Sequence, residues 1–249
     1  MALARVLCSN LAMNPAKPES RTLSVLMLGA SGAVGGAALK LLLALNQATR
    51  LTLLGRRNLA VAPSTPSAKV QQHQVDVFEP QSYRQHLAGH DAVVCTFGVG
   101  ESSKLSRDEF IRIDKTAVID FATACKAAGV RHFELLCAVG ADAKSAAFYL
   151  RSKGELQDAL IALSFERLSL FQPSMILTPT NRYGILQGLT LALWPVLTPV
   201  LAGPLRKYRG IPVETLGAAM ANNLFTSGSG TEILQWDDFM ALANGASKA

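Results

Sequence analysis

Between Leu23 and Leu45 a short apolar run gives way to a run rich in alanine and leucine, with Gly29-Ala30-Ser31-Gly32-Ala33-Val34-Gly35-Gly36 at the junction. Leu23 to Leu28 is long enough for a strand covered on both faces, and Ala33 to Leu45 has helical composition and spacing. A glycine turn between such a strand and such a helix is a phosphate site. The helix start leaves backbone N–H groups unpaired at the positive end of its dipole, and glycines let a pyrophosphate approach without meeting a Cβ. Ser31 adds a hydroxyl donor. The spacing is Gly-x-x-Gly-x-x-Gly rather than the commoner Gly-x-Gly-x-x-Gly, so the reading must draw on the rest of the chain.

With 249 residues and 49% hydrophobic composition, the chain can bury one sizeable core. The expected organisation is a loosely ordered extension over residues 1–22 and a single domain over 23–249, with 173–212 as a lid region on the substrate side. The net charge is +6, but basic and acidic residues are interspersed rather than blocked, so no nucleic-acid partner is expected. A cofactor carrying several phosphates accounts for the excess equally well. Cys8, Cys95, Cys125 and Cys137 form no Cys-x-x-Cys pair and have no histidine at metal spacing. They read as reduced thiols in a cytoplasmic protein without a metal site, and the four dispersed histidines are given no role. Tyr183 to Leu205 contains no charged residue, but Pro195, Pro199 and Pro204 break it. It is expected to form a buried or lid segment, or a dimer face, rather than a membrane span.

The second strand, Arg50 to Leu54, stops at Gly55-Arg56-Arg57-Asn58. In a dinucleotide fold an acid there binds the 2′-hydroxyl of NAD, whereas arginine suits the 2′-phosphate of NADP. Arg56 and Arg57 favour NADP, the alternative being solvated loop charges. A third strand is predicted over Lys69 to Val77, ending at Asp76-Val77, and a short helix over Pro80 to Leu87. The fourth strand, Asp91 to Thr96, runs into Phe97-Gly98, where glycine again allows a ligand close to backbone. Phe110, Ile113, Ala117, Val118 and Phe121 recur at helical spacing within a helix predicted over Ser106 to Ala128. With a fifth strand over Arg131 to Cys137, the alternation implies a doubly wound parallel sheet of α/β class.

Tyr149 and Lys153 are four residues apart and share a helix face. An ammonium beside a phenol favours the phenolate and draws its pKa down from about 10, so the tyrosine can exchange a proton near neutral pH. A sixth strand over Arg167 to Phe171 leads to Pro173-Ser174.

In this order the parts resemble an atypical short-chain dehydrogenase/reductase, most closely its NmrA-like and Tat-interacting oxidoreductase-like branch, over about Leu23 to Phe225. The local matches are Leu135-Leu136-x-x-x-Gly140-Ala141-Asp142, Tyr149-Leu150-x-x-Lys153-Gly154-Glu155 and Pro173-Ser174. The resemblance implies that Gly29 to Gly35, including Ala30, Ser31, Gly32, Ala33 and Val34, hold the pyrophosphate of an NADP cofactor. By the same resemblance Arg56 and Arg57 take the 2′-phosphate, and Asp76 and Val77 the adenine edge. Thr96, Phe97 and Gly98 flank the ribose and nicotinamide side. Lys153 bonds the nicotinamide ribose, Pro173, Ser174, Met175 and Ile176 lie along the nicotinamide, and Tyr149 is the proton donor. Catalysing members place Ser or Thr at the end of the fifth strand, where this chain has Cys137-Ala138, a weaker donor and none. The implied activity is hydride transfer between the cofactor and a small, apolar carbonyl or alcohol. The rival is an NADP-sensing regulator without turnover.

Overall fold

The structure is a computed structural model and describes residues 22–60, 69–99, 105–178 and 201–245. Strand β1 (Leu23–Leu28) is buried almost throughout and enters helix α1 (Ala33–Ala44) through the glycine turn. Then come β2 (Ala48–Gly55), β3 (Val70–Gln74) and β4 (Ala92–Cys95). A long helix follows in three pieces: α2 (Arg107–Ile111), a π-helical segment (Arg112–Thr116) and α3 (Ala117–Ala127). The chain continues with β5 (His132–Leu136), α4 (Phe148–Ala162) and β6 (Arg167–Phe171). Two short strands, β7 (Ile176–Leu177) and β8 (Ile211–Pro212), pair with each other. The last elements are α5 (Val213–Asn223), β9 (Gly230–Leu234) and α6 (Trp236–Ala243).

The main sheet has seven strands in the order β3-β2-β1-β4-β5-β6-β9, and every pairing is parallel. This is a Rossmann-like α/β fold, as the alternation predicted. Winding reverses between β1 and β4, and a crevice opens at such a switch point because the two connections leave on opposite faces. One core packs α1, α5 and α6 on the sheet; the other packs α3 and α4 on the opposite face. The helices on the first face lie very close, since a Cβ on Gly217 would come within 2.5 Å of the Ala37 methyl.

Several expectations shift locally. The third strand ends at Gln74, because the Asp76 carboxylate accepts from the Phe78 N–H at 2.9 Å and turns the chain. Pro80 to Leu87 forms two 3₁₀ turns instead of one helix. The helix predicted from Ser106 starts on a Ser106/Glu109 capping box but widens into the π segment. Residues 1–21 of the expected extension and 183–200 of the uncharged run lie outside the described residues. Among the described residues, no helix is long and apolar enough to cross a membrane.

His90 is buried, bridging the Leu87 carbonyl at 2.9 Å and the Thr52 hydroxyl at 2.7 Å. Burial pushes its pKa down; burial, and then the stacked His73 ring 3.7 Å away, does the same to His86. A histidine with a lowered folded pKa contributes stability that is present above its unfolded value near 6.5 and lost as the pH falls toward the folded value. The unfolding free energy from urea titration should therefore fall as the pH drops below about 6.5, with His90 contributing a slope of at most about 1.4 kcal/mol per pH unit. His90→Gln should flatten that slope; an unchanged slope would remove His90 as its source.

Candidate active site

The carboxyl ends of β1, β4 and β5, the start of α1 and the buried face of α4 enclose a cavity of about 330 Å³. A second cavity of about 170 Å³ continues from it over the end of β2, and both are bounded by Gly32, Thr96, Phe97 and Gly98. The glycine turn is thus the ridge of one elongated cleft. Gly29 has φ +97°, a conformation L side chains avoid, and a Cβ on Gly35 would meet the Gly29 carbonyl oxygen at 2.3 Å and Thr96 Oγ1 at 2.5 Å. The Thr96 hydroxyl donates to the Gly29 carbonyl at 3.1 Å, pinning the turn to the end of β4. Gly32 caps α1 without a side-chain hydrogen bond, and no acid occupies the first turn. The helix start therefore offers backbone donors and positive potential to the cleft, which fits a dinucleotide pyrophosphate.

Most residues expected at the site meet there. Ala33, Val34, Gly35, Cys137, Tyr149 and Lys153 line the larger cavity, as do Ser174, Met175 and Ile176. Gly29, Ser31, Arg56 and Val77 line the smaller one. Four are placed elsewhere. Ala30 is buried in the core, Arg57 is exposed and lines neither cavity, the Asp76 carboxylate is occupied by its own turn, and Pro173 lies behind the lining, its carbonyl accepting from the Val139 N–H.

Helix α4 carries Tyr149 and Lys153. Its start is gripped by the preceding loop, because a Cβ on Gly154 would lie 2.1 Å from the Ala143 nitrogen and 2.2 Å from the Asp142 carbonyl carbon. Lys153 Nζ lies 6.0 Å from the centre of the Tyr149 ring. It is also ion-paired at 2.9 Å with Asp114, which is only 2% exposed and which also accepts from the Val99 N–H. Sequence reasoning missed Asp114. The available signal was its position four residues after Phe110, a carboxylate at the spacing of the buried stripe. The π segment brings Asp114 and Lys115 to α4 together, Lys115 pairing with Glu155 at 2.7 Å.

Burial alone would lower the Lys153 pKa, but the Asp114 carboxylate, followed by the Tyr149 and Cys137 groups, holds it above its ordinary 10.5. For Tyr149 the balance differs from the sequence expectation. Although the whole residue is 39% exposed, desolvation of the phenol in the cleft raises its pKa above 10, against the downward pull of Lys153. The tyrosine stays protonated at neutral pH. Burial likewise pushes the Cys137 thiol up, opposed by Lys153 and by a hydrogen bond from Gln157.

Comparison with known proteins agrees with this geometry. A family model described as NAD(P)H-binding matches residues 29–166. The chain belongs to this NAD(P)H-binding family. It is 35% identical over 207 residues to Protein HTATIP2 of Rattus norvegicus, covering 83% of both chains. That likeness bears out the Tat-interacting branch read from the motifs. It is also 30% identical over 197 residues to Protein FMP52-1, mitochondrial, of Scheffersomyces stipitis, covering 78% of this chain and 81% of the relative. Among solved structures, MoeE5 in complex with UDP-glucuronic acid and NAD superposes with a TM-score of 0.64 at 15% identity, covering 85% of this chain and 75% of that one. The expectation of a cytoplasmic protein is corrected by the fungal relatives, which are named as mitochondrial. Absence of a secretory pattern and unpaired cysteines could not tell these two reducing settings apart.

Asp114→Asn should keep the hydrogen bond to Val99 but leave the Lys153 ammonium buried without its counter-charge, costing about 3 kcal/mol. Thermal unfolding checks this, and an unchanged midpoint would show that the pair is not held together in solution.

Proposed function

We propose that the protein is an NADP-dependent reductase that reduces a small, apolar carbonyl compound. The observation that carries this reading is that Tyr149, Lys153 and Cys137 line the same cavity as the first turn of α1. A bound nicotinamide in this cleft supplies the hydride. The chain's own residues do the rest. The start of α1 and the Thr96-Phe97-Gly98 segment orient the dinucleotide, and Lys153, fixed by Asp114, presents a constant positive charge. Tyr149 gives its phenolic proton to the substrate oxygen as negative charge develops there, a task that suits a phenol kept protonated at neutral pH. Cys137 offers its S–H to the same oxygen. Leu136, Met175 and Ile176 give the lining its apolar character, which favours a substrate with little charge. The preference for NADP rests on Arg56 at the adenosine end of the cleft and on the absence of an acid at the end of β2. The names of the fungal relatives favour a mitochondrial setting.

Two measurements test the reading. Calorimetry should show NADPH bound at least about tenfold tighter than NADH, equivalent to about 1.4 kcal/mol, with Arg56→Ala removing the difference and sparing NADH. Equal affinities in the parent would remove the phosphate role. Tyr149→Phe should lower turnover of aldehydes, ketones or quinones by about a hundredfold or more while leaving NADPH affinity in place. NADPH binding without turnover of any compound in such a panel would replace the reductase by a nucleotide sensor.

A further inference from the structure

At the carboxyl edge of the sheet, three adjacent strands each hand on to a residue with a polar or polarisable side chain: Cys137 after β5, Gln172 after β6 and Gln235 after β9. Gln157, one turn beyond Lys153 on α4, completes the row. Gln157 Nε2 donates to Cys137 Sγ at 2.8 Å, Gln172 Nε2 donates to Gln157 Oε1 at 3.1 Å, and Gln235 Nε2 donates to Gln172 Oε1 at 3.1 Å. Gln157 and Gln172 are both buried.

The three bonds run one way, from Gln235 through Gln172 and Gln157 to the sulfur. Gln235 is itself held at the start of α6, where its backbone N–H donates to the Asp238 carboxylate at 2.8 Å. Each amide then turns its oxygen back and its NH₂ forward, and the last NH₂ reaches the sulfur. Donation along one direction polarises each successive amide. The sulfur accepts from Gln157, so its S–H cannot donate to that amide and is left for the cavity side. Its acceptor within the chain is the Lys153 carbonyl, at a loose 3.9 Å.

Building on the reductase reading, we infer that Gln157 is a positioning residue, the end of a one-way amide chain that fixes Cys137 as hydrogen-bond donor to the substrate oxygen. The chain thereby compensates for the missing hydroxyl at this position. An amide pointing its NH₂ at sulfur cannot accept from the thiol, which leaves the loose 3.9 Å contact with the Lys153 carbonyl for a substrate oxygen to displace. The charged and titratable groups facing the thiol are Lys153 and Tyr149 on α4 and Asp114 on the π segment. They are left intact in the test.

The first measurement needs no turnover. Iodoacetamide alkylation of Cys137 is followed by peptide mass spectrometry against pH in the full-length chain, with NADPH affinity as the check on folding. Gln157→Leu removes a donor that favours the thiolate, so the alkylation midpoint should rise by about one pH unit. Gln157→Glu, which presents an acceptor and a negative charge, should raise it further, while NADPH affinity stays within about twofold of the parent. A midpoint unmoved in both variants overturns the inference. The second measurement is kinetic. Gln157→Leu should lower kcat about tenfold with KM unchanged in the parent, and cost nothing further in a Cys137→Ala background. Equal losses in both backgrounds would make Gln157 merely structural and overturn its role through Cys137. A shifted midpoint in a protein that turns over nothing upholds the amide–thiol link and removes the reductase reading instead.

Discussion

The close approach of three backbone segments at Gly29, Gly35 and Thr96 is the constraint on which the molecule is arranged. Side chains at Gly29 or Gly35 would overlap the end of β4, so α1 can seat directly against the sheet only because these positions are glycine. That seating aims the first turn of α1 into the crevice at the winding reversal between β1 and β4. It also ranges the ends of β2, β4 and β5 along a single cleft. The open helix start at the cleft and the packing of α1 on the sheet therefore have the same cause.

A second constraint is the buried pair of Asp114 and Lys153. Taking both charges out of water is costly, and the geometry meets that cost through the 2.9 Å contact and the added hydrogen bond from Val99. The pair also joins the loop after β4 to α4, with the π segment between them. The π segment carries both Asp114 and Lys115, and each pairs with a residue of α4, Lys153 and Glu155 respectively. Lys153 is thereby locked as a cation, and Tyr149 is governed more by desolvation than by its neighbour.

Much of the fold and part of the site could be read from residue patterns. Leu23 to Leu28, the Ala/Leu helix and the runs from Arg50, Asp91, Arg131 and Arg167 declare buried parallel strands and their covering helices through period and composition alone. Gly29 and Gly35 declare their turn because a side chain is excluded there, by a positive φ at the first and by the Gly29 carbonyl at the second. Tyr149 and Lys153 are legible since four residues make one helical face. The same rule extends one turn further to Gln157, and that extension could have been read. Asp76 illustrates the opposite case: the family resemblance implied an adenine contact, but here its carboxylate accepts from the N–H two residues on and closes its own turn.

What the sequence by itself determined was the local and periodic part: element types, the glycine turn, the basic end of β2 and the shared face of α4. These depend on backbone sterics and on spacings of a few residues. What only the tertiary structure decided was which distant groups meet. Asp114 reaches Lys153 across 39 positions, and Cys137 is linked to Gln235 through Gln157 and Gln172, because strands far apart in the chain become neighbours in the sheet. Burial then sets the charge states of these groups, and burial is a property of the assembled layers that no single segment carries.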